Sequence, residues 1–361
     1  MAWIAAGLVV AQALTWTGRL DGARRGAGDG PTTIALDAEV GRVFVGFWNS
    51  RTVEAVDPAE PSRRVSVVTG HRPTQLGWLP RSKALVFACY YEDHLCVVPA
   101  ISAGGEVRCF APGEGGGGER SWGATPGRHS SFARPHGTFH GHVESFVVDD
   151  DQDRIYPLAG HFSGIGLDKD FEWLSSARWD GERLLADGPG LTVRVTSHDH
   201  DAQPLAIDGS AGVLWWTSPS ERVVRRVRVD GLVEEATSGP LGTLPVAMAV
   251  DRGRRVVWVG DGVRAELRAI DADTLVPTER LSTPTPVSAL AFDDATGALW
   301  VVSRRGGTLG VLDAGAKAVR PVYDVDQPSA VVLDPVRRLL WVASLGDGVV
   351  HRLAAPASSA R

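Results

Sequence analysis

The sequence predicts an all-β chain folded as a single seven-bladed β-propeller of four-stranded blades, closed by an N-terminal outer strand in the last blade. Three observations predict it: an apolar-Asp pair recurs along the chain with a large apolar residue seven positions after the Asp, the pairs recur at the length of one blade, and each chain end lacks what the other can supply. Composition agrees. Hydrophobic residues make up 43% and charged residues 22% of 361, enough for a packed core. Glycine (42) and proline (22) are plentiful, and no long helical period runs through the chain, which favours short strands and tight turns.

The pairs are Leu36-Asp37, Ile207-Asp208, Val250-Asp251, Phe292-Asp293 and Leu333-Asp334, answered by Phe44, Trp215, Trp258, Trp300 and Trp341. Blades 2 and 3 keep the frame as Leu79 to Val86 and Val148 to Ile155, with the Asp lost or shifted by one. From Asp208 onward the intervals are 43, 42 and 41 residues, the length of a four-stranded blade. In the sixth unit Leu290–Asp293 reads as strand a, Leu299–Val302 as b, Leu309–Leu312 as c and Val319–Tyr323 as d, each bounded by Gly, Asp or Pro turns. The strand-b aromatics recur in unit after unit and are therefore read as packing between blades, not as a sugar platform. After strand c of the last unit (Val349–Leu353) only a small tail follows, so Leu14–Leu20 is expected to supply the missing outer strand. That clasp would remove an open sheet edge. The propeller then spans 14–354, with 355–361 a flexible tail.

The bulk numbers also exclude classes. Net charge is −6 with arginines scattered, which lacks the basic stripe that replaces phosphate counterions, so no nucleic acid is expected. Residues 1–13 are apolar and end in Ala11-Gln-Ala13 without a basic start. They read as a truncated signal segment, inclining the chain toward a secreted or periplasmic place, and are too short for a membrane span. Cys89, Cys96 and Cys109 show no CxxC spacing. Cys89 and Cys96 flank a hairpin tip, which leaves both a cross-strand disulfide and plain burial of small thiols open. No phosphate loop, dinucleotide fingerprint or Ser-His-Asp order stands in a strand–helix setting, which argues against kinase, NTPase and Rossmann chemistry.

A repeat supplies its own reference, and departures from it are candidates for function. The intervals Leu79 to Val148 (69 residues) and Val148 to Asp208 (60 residues) are long. Residues 111–139, with Gly115 to Gly118, Trp122, Arg128, His129, Arg134 and His136, read as an insertion loop before strand a of blade 3. Other blades start strand a with Pro31, Pro73, Pro245, Pro286 or Pro328, whereas blade 3 reads His140-Gly-His142-Val-Glu144 and blade 4 His198-Asp-His200-Asp201. Residues two apart on a strand share a face, so two adjacent blades can aim imidazoles at one point near the channel. His161 and His94 map to hairpin tips on that face, and His71 lies just before strand a of blade 2. The expected site has His140, His142, His198 and His200 holding a divalent transition metal (Zn, Cu or Fe), with His142, Glu144 and His161 as catalytic residues and Asp199 and Asp201 orienting rings. The plainer reading is a set of polar residues lining a wet channel.

The stretch His140-Gly-His142-Val-Glu-Ser-Phe-Val-Val-Asp149, followed by Arg154-Ile-Tyr156, resembles the seven-bladed lactonase family typified by 6-phosphogluconolactonase. Gln327–Asp334 through Leu340–Ala343 is similar to YVTN and NHL propellers in general. The resemblance implies the fold and makes lactone hydrolysis one expectation. Leu158-Ala-Gly-His161-Phe-Ser-Gly164 departs from the family's acidic segment, and no basic cluster stands ready for a substrate phosphate. Two functions follow: a monomeric His-based hydrolase, lyase or redox-metal enzyme acting on a small molecule at the top face, or a non-catalytic propeller whose 111–139 loop grips a protein ligand.

Overall fold

The computed structural model describes residues 12–14, 30–60, 64–89, 94–111, 123–124, 132–134, 137–162, 169–188, 190–197, 204–218, 221–242 and 244–355; at His140, His142, Glu144 and His161 it describes the main chain. Seven antiparallel sheets form the blades of a ring. The innermost strands, a, are Pro31–Asp37, Pro73–Leu79, Gly137–Asp149, Leu205–Asp208, Pro245–Asp251, Ala289–Asp293 and Pro328–Asp334. Among the described residues the one helical element is a 3₁₀ turn, Ile101–Ala103, in the c-to-d connection of blade 2.

The repeated aspartate has a local cause. It ends strand a, is buried, and accepts backbone N–H groups of the a–b turn: Asp37 from Glu39 (3.2 Å), Asp208 from Ala211 (3.2 Å), Asp251 from Arg254 (2.9 Å), Asp334 from Val336 (3.0 Å) and Arg337 (2.8 Å). A side-chain acceptor thus satisfies turn donors that no strand can reach. The turn then needs a left-handed residue, supplied at the same place in all seven blades by Gly41, Lys83, Asp153, Gly212, Arg255, Gly297 and Arg338, with φ between 50° and 73°. In blade 3 the anchor is Asp149, whose carboxylate accepts from Asp151 (3.0 Å) and Gln152 (3.2 Å). The frame there is Asp149 to Tyr156, one residue later than the expected Val148 to Ile155, and the Asp is retained.

Side chains of facing blades interlock. Trp215, Trp258, Trp300 and Trp341 are all at most 4% exposed, as packing residues should be. Trp341 and Val350 of blade 7 pack with Ile34, Val43 and Val45 of blade 1, which closes the ring through apolar contact. Polar ties reinforce the seam, where Arg337 donates to Ala38 O at 2.8 Å and Glu39 O at 3.1 Å. The outer strand of the last blade is Gln12–Leu14, paired with Val350–Arg352. The clasp therefore forms as expected, but upstream of the expected Leu14–Leu20, and it overlaps the 1–13 segment at Gln12 and Ala13.

A second recurring device lies at the opposite end of strand a. One residue there is left unpaired as a β-bulge, at Thr32, Thr74, Glu144, Val246 and Ser329; Ser288 holds the same place in blade 6. Most of these residues are hydroxylic, and the hydroxyl ties the bulge down. Thr32 faces Gly46 O at 3.3 Å and Pro73 O of the next blade at 3.5 Å; Thr74 donates to Ala88 O (3.2 Å) and Ser288 to Val302 O (3.1 Å). Ser329 donates to Pro31 O across the seam at 2.9 Å, with Ala343 O at 3.3 Å. Each such bond stabilises by about 0.5–1.5 kcal/mol net.

The long intervals resolve into additions to blades 2 and 3. Gly123–Ala124 adds a fifth strand to blade 2, and Phe132–Arg134 pairs with Gly137–Phe139, the start of strand a of blade 3. That strand begins three residues earlier than the 111–139 loop allows; the rest of the insertion lies outside the described residues. The second addition is a hairpin, Ala177–Trp179 with Leu184–Ala186, between strands c and d of blade 3. Its Trp179 ring meets Phe110 of blade 2 edge-on at 5.7 Å, burying the hairpin against the neighbouring blade.

Candidate functional site

Strand a of blade 3 carries the expected site, and its position is held from blade 2. The Gln75 side chain donates to Phe146 O (2.6 Å) and accepts from Phe146 N (3.0 Å) and the Ser145 hydroxyl (3.0 Å). A side-chain amide thus completes both hydrogen bonds of one residue beside the bulge, which fixes the strand rigidly between blades. The bulge residue is Glu144, lying between the pairs Val143–Ala159 and Ser145–Leu158. Bulges re-aim the chain and concentrate beside active sites. At this position four other blades carry a hydroxyl that donates to a carbonyl; an ionised carboxylate has no proton to donate.

The register sorts the histidines. His142 pairs with Gly160, which pairs with Glu172 on strand c (Lys169–Leu174), forming one row across the blade. That row shares its phase with Leu158 and Leu174, which pack against Leu214 and Trp216 of blade 4. The His140 and His142 positions therefore belong to the face of blade 3 that addresses blade 4. His161 pairs with Gly141, out of phase with both, in register with Ile155, which packs against blade 2. It also sits within strand b (Arg154–Phe162), not at a hairpin tip. The register thus groups His140 with His142 and separates His161 from them. His198 and His200 lie outside the described residues. The frame also corrects the proline comparison: Val143, six residues before Asp149, is the counterpart of Pro31, six before Asp37, so His142 stands one place ahead of the proline position.

Sequence reasoning passed over Glu172. It is fully buried at 0% exposure, a costly place for a carboxylate unless it is paired. It is not part of the charged belt that strand c carries in other blades, Glu54 with Arg64 (3.5 Å), Arg225 with Glu234 (3.1 Å), Arg268 with Glu266 (2.8 Å) and His351 with Asp347 (3.0 Å); the register places Ser175 at that position in blade 3 and Glu172 three residues before it. The available signal was one charge inside Phe171-Glu-Trp-Leu174. The register places it in one row with His142 across Gly160, the nearest buried carboxylate position to the expected site on that face.

Two features lie apart from this strand. Cys96 and Cys109 form a disulfide between strands c and d of blade 2, and Cys89 is a buried thiol outside it. The pairing replaces the Cys89–Cys96 alternative because Cys109, not Cys89, is the cross-strand partner of Cys96. A channel of about 640 Å³ runs along the axis, walled by strand-a residues such as Leu36, Gly77, Phe146, Phe292 and Val332. Asp150, Arg252 and Asp294 stand at its a–b end, where Arg252 meets Asp294 at 2.8 Å and Asp208 at 3.5 Å. Asp150 is open to channel water, yet enclosure by the ring pushes its carboxyl up to about 6; Asp149 and Asp151 add to the rise and Arg252 opposes it.

No family model matches the chain, and no curated protein sequence matches it. Solved structures do. A catalytically inactive histidine-to-alanine variant of virginiamycin B lyase from Staphylococcus aureus, with quinupristin, aligns with 96% of this chain and 99% of its own at a TM-score of 0.63 and 12% identity. The selenomethionine form of that lyase aligns over 91% and 96% (TM-score 0.58, 13% identity). A chain of the mitotic checkpoint complex aligns over 95% and 98% (TM-score 0.64, 11% identity). At such identities the likeness shows the seven-bladed fold alone, shared by an enzyme and by a member of a protein complex.

Proposed function

We propose that the chain is a propeller enzyme of lactonase or lyase type, with a reaction centre between blades 3 and 4 built on Glu144 and histidines around a divalent transition metal. The observation that carries this reading is Glu144 itself. Four blades use its position for a tying hydroxyl, so a carboxylate there forgoes a structural bond and asks for another purpose. The phase of His140 and His142 toward blade 4, where the His198-Asp-His200 segment belongs in sequence, supports a joint site. His140, His142, His198 and His200 would hold the metal, which when bound polarises a carbonyl or acidifies a water. Glu144 would be the group that accepts a proton from water or from the carbon beside a substrate carbonyl, with Glu172 as a buried negative charge behind His142 in the same row. His161, in a row addressing blade 2, receives no proton-transfer role.

The test is turnover against a panel of lactones, esters and cyclic depsipeptides, comparing wild type with Glu144→Gln and His142→Ala. A hydrolysed or eliminated product that both variants lose by at least a hundredfold supports the reading. The competing reading, a binding propeller gripping a protein through residues 111–139, is favoured instead if deleting that loop abolishes capture of a partner while no panel member reacts.

A further inference from the structure

We propose that Cys96 and Cys109, once reduced, form with His94 a separate metal site that takes a borderline divalent cation such as Zn²⁺. It lies on the blade 1 side of blade 2 and is independent of the reaction centre proposed above. One donor atom from each of His94, Cys96 and Cys109 falls within 4.8 Å of the others. The strand register explains why. Cys96 is paired with Phe87 on strand b (Ala84–Cys89) and with Cys109 on strand d (Arg108–Ala111), and His94 precedes Cys96 by two, so all three share one face. That face is largely apolar: His94 is 8% and Cys96 0% exposed, beside Phe44, Val53, Trp78 and Phe87, while Cys109 is partly buried at its rim. Two thiolates and an imidazole in an apolar wall make a donor set suited to tetrahedral zinc. His71, on the loop between blades 1 and 2, meets the His94 ring edge-on at 5.4 Å and steadies it from outside the three-residue cluster, so the fourth position falls to water.

The site exists in one redox state. A dithiol reductant breaks the Cys96–Cys109 bond, delivering two electrons and two protons and becoming a disulfide itself. Metal binding then forms two sulfur–metal bonds and releases the two thiol protons to solvent. Reoxidation of the two thiolates by a disulfide closes the bond and expels the cation, so the blade edge would hold metal in a reducing medium and a covalent staple in an oxidising one.

The experiment is a Co²⁺ titration of the full chain, once reduced with a phosphine and once oxidised. The expected result is a thiolate-to-cobalt charge-transfer band saturating at a single equivalent in the reduced protein, absent from the oxidised protein and displaced by Zn²⁺. A Cys96→Ser, Cys109→Ser variant should lose the band, His94→Ala should weaken Co²⁺ binding at least tenfold, and His142→Ala, His200→Ala should keep it. No band in reduced wild type, a band in oxidised protein, a band surviving the double cysteine variant, or unchanged affinity in His94→Ala overturns the proposal. The wild-type titration alone decides the matter if a variant fails to fold, and none of these results bears on the Glu144 centre.

Discussion

Replacing Glu144 by threonine should make the protein more stable and less functional at once. The bulges of blades 1, 2, 6 and 7 give the magnitude: their hydroxyls reach strand-b or next-blade carbonyls at 2.9 to 3.5 Å. One such bond, made where the backbone is already shaped for it, contributes about 1 kcal/mol net. For a chain of this size that corresponds to roughly a 2 °C rise in Tm. Glu144→Val is the control, since blade 5 carries Val246 at the same place; it removes the carboxylate without making the bond and should gain less than Glu144→Thr. Paired thermal melts and urea midpoints read the difference, with metal content measured on the same samples. A site residue kept for function is one whose structural replacement stabilises. If Glu144→Thr instead melts lower than wild type by more than a degree or two, the carboxylate is a structural group and the argument from the bulge fails.

Two further predictions concern charge. Arg338→Ala strands the buried Asp293 carboxylate, which Arg338 binds at 2.8 Å through Nη1, and should cost about 2–3 kcal/mol at neutral pH. Burial alone would raise the Asp293 carboxyl, but the Arg338 and Thr296 hydrogen bonds outweigh it and hold it below the usual range. Its stabilising share is thus full above the ordinary carboxylate pKa and lost as pH falls through the depressed value, so the gap between variant and wild type should narrow in acid; a gap independent of pH contradicts the pairing. Asp150→Asn should act oppositely, because a carboxyl raised to about 6 from 3.8 destabilises the folded state wherever it is ionised. The full shift is worth about 3 kcal/mol, reduced by channel water to about 1 kcal/mol. That gain should appear at pH 8, fade between pH 6 and 4, and vanish below; equal stability at pH 8 would show that Asp150 is ordinary.

The fold was legible because six of the seven blades repeat an aspartate that accepts from turn donors, blade 2 borrowing Asp153 of blade 3 instead, and all repeat a large apolar wedge between blades. Where the sequence offered several candidates for one necessity, the frame slipped. Asp149, Asp150 and Asp151 are consecutive, and only the turn geometry selects Asp149 as the acceptor of Asp151 and Gln152 N–H. That single residue moved His142 ahead of the proline position and drew His161 back from the hairpin tip into strand b. The cysteine pairing was hidden for a similar reason, since it depends on the c–d register of blade 2, set by a turn through Ile101–Ala103. The Ala177–Ala186 hairpin escaped notice because Trp179 and Leu184 read as ordinary strand residues until Phe110 is brought beside them. Histidine enrichment in blades 3 and 4 was plain in the sequence. The role proposed for Glu144 rests instead on structure, on the bulge hydroxyls of four other blades tied to carbonyls.

The most direct test of a metal-holding centre at blades 3 and 4 is elemental analysis of oxidised protein purified without a histidine tag, a form in which the Cys96–Cys109 bond is closed. One equivalent of a divalent transition metal in wild type, lost in His142→Ala, His200→Ala, is the predicted result. Metal-free wild type, or an undiminished metal content in the double variant, would contradict it.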